Sequence, residues 1–256
     1  MSKAKIISII NQKGGVGKTT ISFNLAWGLA LKNNKVLILD NDPQGNLTSA
    51  FLDDPSTVKA NVISFYQGNG KTVKPHTLHK NLDLVGTDIH LARITEKNNF
   101  DMFYKLKEAL EPFNKKYDYI IIDCLPSLGV LNIAALMAST HVLIPSTASH
   151  FALSGLTDLL EVITNTKKRA NPDLKVVGIL MNMVGGRATN IAQEIENLLR
   201  KRYKELVFST VIHKGVKMEE SPAFNQSIME YEPNNKLAKE FKKFINEFLR
   251  RIENDK

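Results

Sequence analysis

Short apolar runs alternate with longer amphipathic stretches from one end of the chain to the other. The runs are dominated by Ile, Val and Leu and lack the every-second-residue polar rhythm of a half-exposed strand, which is the pattern of strands covered on both faces. They predict strands over Lys5–Asn11, Lys35–Asp40, Leu82–Val85, Tyr119–Asp123, His141–Pro145, Lys175–Met181 and Val207–His213. Between them, apolar positions recur at helical spacing over Thr19–Leu31, Met102–Glu111, Leu131–Met137, Leu153–Arg169, Thr189–Tyr203 and Asn235–Ile252. Strand and helix in alternation build βαβ units, hence an α/β fold with a mostly parallel twisted sheet and helices on both faces.

Residues Asp53 to Lys80 break this rhythm, being polar and weakly periodic, with one short helix expected near Val62–Tyr66. No composition shift marks a linker, so one domain is expected over residues 1–256, with no separate DNA-binding module ahead of the first strand. The last helix carries Leu237, Phe241, Phe244, Ile245, Phe248, Leu249 and Ile252 on one stripe. Such a stripe either docks on the domain or lies on a membrane surface. Docking is favoured, because no further helix remains to complete the layer it would join.

A hydrophobic content of 43% suffices for a sizeable core, and 7% aromatics makes that core aliphatic. The single cysteine, Cys124, excludes intrachain disulfides and Cys-cluster zinc sites. No leader is evident and no apolar run reaches the roughly 18 residues of a membrane span, so a cytoplasmic protein is expected. The net charge of +8, from 34 Lys and Arg against 26 Asp and Glu, permits contact with nucleic acid or an anionic membrane surface, though a lysine-rich composition explains it equally well.

The first strand runs directly into Asn11-Gln12-Lys13-Gly14-Gly15-Val16-Gly17-Lys18-Thr19-Thr20, and a helix follows. Strand, glycine-rich turn and helix make a phosphate-binding loop: backbone N–H groups from Gly14 to Thr20 converge on one anion at the positive end of the helix. In that arrangement Lys18 neutralises β- and γ-phosphates and the Thr19 hydroxyl ligates Mg²⁺, the arrangement of P-loop NTPases. The general G-x-x-x-x-G-K-[ST] pattern is altered here, with Gln12 at the first glycine and Lys13 after it.

Two further clusters sit at strand ends. Asp40 and Asp42 follow the second strand, before a turn forced by Pro43 and Gly45. Asp42 is the better candidate for holding Mg²⁺ through water or orienting the attacking water; Asp40 divides evenly between that role and a structural one. Asp123 closes the run Tyr119-Ile120-Ile121-Ile122 and reads as the acidic residue beside a Thr19-bound Mg²⁺. Cys124 reads as a packing residue, since a thiol suits a hard, oxygen-ligated ion poorly.

Lys13–Thr20 fits the deviant pattern K-G-G-x-x-K-[ST]. Together with Asp40–Thr48 and Tyr119–Gly129 it resembles the ParA (Soj-type) chromosome and plasmid partition ATPases, over nearly the whole chain from Ile6 to about Phe248. Gly178–Arg187 and Val211–Tyr231 match less sharply. The resemblance implies an Mg²⁺-dependent ATPase, weak alone, whose ATP form is a sandwich homodimer. Lys13 would reach the partner subunit's phosphates and Asp42 would position the hydrolytic water. The dimer would bind double-stranded DNA without sequence preference on the nucleoid, and a ParB-type centromere-binding protein would trigger hydrolysis and release. Three departures stand out: Cys124-Leu125-Pro126 replaces Thr-Pro-Pro, Lys214 and Lys217 stand where arginines are frequent, and Ala223-Phe224-Asn225-Gln226 alters a small-residue run. Candidate phosphate contacts on DNA are Arg200, Lys201, Arg202, Lys204, Lys214, Lys217, Lys242 and Lys243. A MinD-like ATPase cycling on a membrane, or one positioning protein cargo, is the alternative.

Overall fold

The computed structural model describes residues 3–95, 100–149, 152–185 and 190–254. Its strands are β1 (Lys5–Ile9), β2 (Val36–Asn41), β3 (His76–His79), β4 (Leu82–Val85), β5 (Tyr119–Cys124), β6 (His141–Ser146), β7 (Lys175–Val184) and β8 (Val207–His213). Its helices are α1 (Lys18–Leu31), α2 (Asn46–Phe51), α3 (Ile63–Tyr66), α4 (Ala92–Thr95), α5 (Met102–Leu110), α6 (Val130–Ala138), α7 (Ala152–Arg169), α8 (Asn190–Tyr203), α9 (Val216–Glu220), α10 (Ile228–Tyr231) and α11 (Lys236–Asn254).

The strands form one sheet in the order β3-β4-β2-β5-β1-β6-β7-β8, parallel throughout except for the β3–β4 pair. Successive residues serve opposite layers, as strand geometry requires. Ile7, Ile9, Ile38 and Ile121 enter the core beneath α1, α10 and α11, while Ile6, Leu37, Leu39, Ile120 and Ile122 enter the core beneath α5, α6 and α7. Both faces of the central strands are therefore covered by apolar layers, and their sequences are mostly apolar.

Helix α1 is buried along nearly its whole length between the sheet and α11. A Cβ on Gly28 would stand 2.0 Å from Cδ1 of Ile245, so the two helices approach as closely as they do only because that position lacks a side chain. The stripe of α11 is docked: Phe241, Phe244 and Phe248 are fully buried, with Phe208 of β8 edge-on to Phe244 at 5.3 Å. Truncating one of these rings would cost about 3–5 kcal/mol. This stripe is thus spent inside the protein and is not presented to a membrane. Among the described residues no helix is long and apolar enough to cross one.

The same helix protects the sheet's edge. The outer N–H groups of β8 are taken by acidic side chains of α11: Glu247 accepts from Ser209 N at 2.8 Å and Thr210 N at 2.9 Å, and Glu240 from His213 N at 3.0 Å. Arg251 donates to the carbonyls of Glu205, Val207 and Val177. An exposed edge strand invites pairing with another chain, and this one is closed by side chains.

The seven expected strands are present, shifted by a few residues at their ends. β3 was not expected. It is a four-residue, half-exposed edge strand whose pairing with β4 supplies what its own sequence, His-Thr-Leu-His, does not signal. α2 also falls in a stretch read only as a turn. Thr189, the expected start of α8, and Arg187, at the end of one family-like stretch, lie outside the described residues.

Candidate active site

Sheet order brings the motifs together. β5 lies between β2 and β1, with Asp40 opposite Asp123 and Asp123 opposite Ile9. The loop after β1, the acidic end of β5 and the Asp42 turn after β2 therefore share one carboxyl edge, where ligands bind in such sheets.

The loop is held from below and open above. Asn11, buried, donates to Pro145 O at 2.8 Å and accepts from Lys13 N at 2.9 Å. Gly15 and Gly17 adopt φ +71° and +83°, in the left-handed region, and nothing lies within 4 Å of a Cβ placed on Gly15. That opening is the cradle a phosphate needs. Lys18 is buried and its Nζ donates to Lys13 O at 3.3 Å, so it arches over the loop; burial draws its pKa down, with Asp123, Cys124 and Asp42 partly restoring it. Lys13 is exposed and points away, donating to Ser149 Oγ at 2.8 Å.

Asp123 sits at the floor. Thr19 Oγ1 donates to its Oδ2 at 2.8 Å and Ser22 Oγ to its Oδ1 at 2.7 Å. Burial, with Asp40 adjacent, pushes the carboxyl up to about 7 against the pull of those two hydroxyls and Lys18. Ser22 was missed from sequence, although it lies four residues beyond Lys18, one helical turn on along the face that meets β5. Hydroxyl and carboxylate oxygens converging beside Lys18 form a donor set suited to a hard divalent cation.

Asp40 and Asp42 separate cleanly. Asp40 is fully buried and accepts from Thr48 N at 2.8 Å and Thr48 Oγ1 at 2.7 Å, so it anchors the first turn of α2; burial lifts its pKa to about 6. Asp42 accepts from Gln44 N through Oδ1 at 3.0 Å within the Pro43–Gly45 turn, and its charge acts on Lys18.

A cavity of ≈ 300 Å³ adjoins the loop beyond Thr20, lined by Asn182, Met183, His213, Lys214, Met218 and Pro222. A cavity of this size, lined by apolar side chains together with polar groups such as Asn182 and His213, has room for a small ligand. Sequence reading gave no hint of it, since its residues come from α1, the end of β7 and the segment from His213 to Pro222, which meet only in the fold.

The basic candidates divide between the two edges of the sheet. Arg200, Lys201, Arg202 and Lys204 precede β8, whereas Lys214 and Lys217 follow it at the nucleotide edge. Arg200 is committed to Glu196 at 2.9 Å and to Phe208 O at 3.0 Å, and Lys217 to Glu220 at 2.9 Å. Lys201, Arg202, Lys204, Lys214, Lys242 and Lys243 are exposed.

A glycine-bent loop between β1 and α1, a lysine arched over it and an acidic strand end bonded to the following hydroxyl define a P-loop nucleotide-binding protein of the deviant, two-lysine kind. The sequence matches the AAA domain family over residues 4–176. It is 39% identical to the sporulation initiation inhibitor protein Soj of Bacillus subtilis, an alignment spanning 91% of this chain and 94% of that one. The chain belongs to the ParA/Soj family of partition ATPases. The fold superposes on a plasmid partition protein from Borrelia burgdorferi with a TM-score of 0.78 at 28% identity, covering 98% of this chain and 100% of that one. It also matches cobyrinic acid a,c-diamide synthase from Mycobacterium smegmatis, whose structure holds ADP and magnesium, with a TM-score of 0.84 at 27% identity and coverage of 99% and 97%.

Proposed function

We propose that this ATPase is a switch that attaches to DNA in its ATP-bound state and is released by hydrolysis, serving the segregation of DNA. The observation that carries the reading is the division of labour between the two loop lysines: Lys18 is buried over its own loop, while Lys13 stands exposed on Ser149. A lysine at the rim is free to meet a second subunit's phosphates, which supports a face-to-face ATP dimer.

Within one subunit, Lys18 and the loop N–H groups bind and orient the β- and γ-phosphates. Thr19 and Asp123, with Asp42 through water, would hold Mg²⁺, which supplies charge neutralisation on the phosphate oxygens. The base would lie in the cavity beside Asn182 and His213. Asp42 orients the attacking water, and the Pro43–Gly45 turn lets it move with nucleotide state. Turnover by the chain alone is slow, and a ParB-type centromere-binding partner raises it. Lys214, Lys242 and Lys243, with Lys201, Arg202 and Lys204 at the other edge, are the phosphate contacts we propose for DNA, which is read without base specificity. Such a protein works in the cytoplasm on the nucleoid.

Anisotropy of a labelled random-sequence duplex, with Mg²⁺ and ATP, ADP or no nucleotide, tests the reading. Tight binding with ATP alone, weakening steeply with salt, is expected. Equal binding in the three states, or none, would remove DNA from the cycle.

A further inference from the structure

The first turn of α6 makes two sets of bonds that nucleotide binding does not require. Asn132 is fully buried, and its Nδ2 donates both hydrogens to the loop after Asp123, one to Leu125 O at 2.8 Å and one to Ser127 O. The opposite amide orientation would press its Oδ1 against two carbonyl oxygens, so the donor face is fixed. One residue earlier, Leu131 O accepts from Asn41 Nδ2 at 3.1 Å. Asn41 stands between Asp40 and Asp42, is fully buried, and accepts from Tyr66 Oη at 2.9 Å.

The geometry has a consequence for the loop. Its peptide bonds are trans. With Ser127 C=O turned toward α6, the N–H of Leu128 must turn the opposite way, and it bonds no other described residue. This loop lies beside the phosphate loop: the nearest heavy atom to a Cβ on Gly14 would be Cβ of Pro126, at 4.0 Å. Asn132 Oδ1, meanwhile, is buried with no partner among the described residues. A buried acceptor left open is costly.

We propose that Asn41 and Asn132 form one buried tether through the first turn of α6, which fixes the Asp42 turn and the Leu125–Gly129 loop relative to each other. Asn132 is thereby a positioning residue for cleavage of the γ-phosphate. The proposal rests on the ATPase reading above. Neither amide titrates, so the tether sets the level of turnover and not its pH dependence.

The test is Asn132→Ala, together with the double variant Asn41→Leu/Tyr66→Phe. The double variant removes both polar partners of one buried bond and so keeps the fold. Steady-state hydrolysis should fall about tenfold in kcat for each, with KM for ATP and the shape of the pH profile unchanged. Hydrogen exchange of the same proteins, without nucleotide, should rise at residues 42–45 in Asn132→Ala and at residues 125–129 in the double variant, where neither substitution makes contact. Normal kcat in the folded double variant, or exchange that rises only beside each substitution, overturns the tether. A wild-type protein that hydrolyses no ATP would instead sink the ATPase reading, and exchange would still decide the tether.

Discussion

Asn182, at the carboxyl end of β7, donates its side-chain amide to the Val16 carbonyl in the middle of the phosphate loop at 2.8 Å, across 166 residues of sequence. The same side chain lines the cavity proposed for the base. One residue therefore ties the geometry of the phosphate cradle to that of the neighbouring pocket. Replacing it by alanine removes one buried hydrogen bond, worth about 1 kcal/mol, and should weaken ATP binding about fivefold, measured by titration with a fluorescent nucleotide.

Gly17 meets the same amide. A Cβ there would stand 2.3 Å from Asn182 Nδ2, and the φ of +83° is one that side-chain-bearing residues resist. Gly17→Ala should cost on the order of 1–3 kcal/mol in backbone strain alone and lower Tm by several degrees in a thermal melt. It should also abolish nucleotide binding, because relief of the clash moves the loop. A normal melt with normal ATP affinity would contradict the role given to the Asn182–Val16 bond.

Lys18 and Asp42 should fail differently. Lys18→Ala removes the buried charge over the cradle and should weaken ATP binding at least about a hundredfold, with every ATP-dependent behaviour lost. Asp42→Ala should bind ATP and dimerise yet hydrolyse about a hundredfold more slowly. Single-turnover hydrolysis after separately measured binding distinguishes the two. Normal turnover in Asp42→Ala would take that residue out of the mechanism.

The Lys13 ammonium bonds the Ser149 hydroxyl at the rim of the loop, so its loss should leave the fold and the single subunit's ATP affinity nearly intact. Lys13→Ala should fail to dimerise with ATP in sedimentation velocity. An ATP dimer of normal stability would place the rim lysine outside the interface.

Glu247 gives a pH dependence. Burial raises its carboxyl, but hydrogen bonds from the backbone and hydroxyls of Ser209 and Thr210 outweigh that and hold it at about 2. A carboxyl depressed in the folded state stabilises above its unfolded pKa, near 4.5, and the contribution is lost as pH falls toward 2. Glu247→Gln should therefore cost on the order of 2 kcal/mol at pH 7 and progressively less below pH ~4.5. Urea melts of both proteins at a series of pH values would show the two stabilities converging in acid.

The chain by itself determined the alternation of the seven longer strands with the main helices, the phosphate loop and the acidic end of β5. Each of these is a local matter: a contiguous stretch of backbone must bend around an anion, and a run of branched apolar residues must end where the sheet meets water. The docking of α11 was equally legible, because a wide apolar stripe must be buried somewhere. Tertiary structure alone separated Asp40, which anchors α2 through Thr48, from Asp42, which remains at the edge; the two sit two residues apart in the same turn and differ only in what packs on them. It alone produced β3, the capping of β8 by Glu240 and Glu247, the Asn182–Val16 bond and the buried amides around α6. These depend on which strand lies beside which, and sheet order sets that through contacts between residues far apart in sequence.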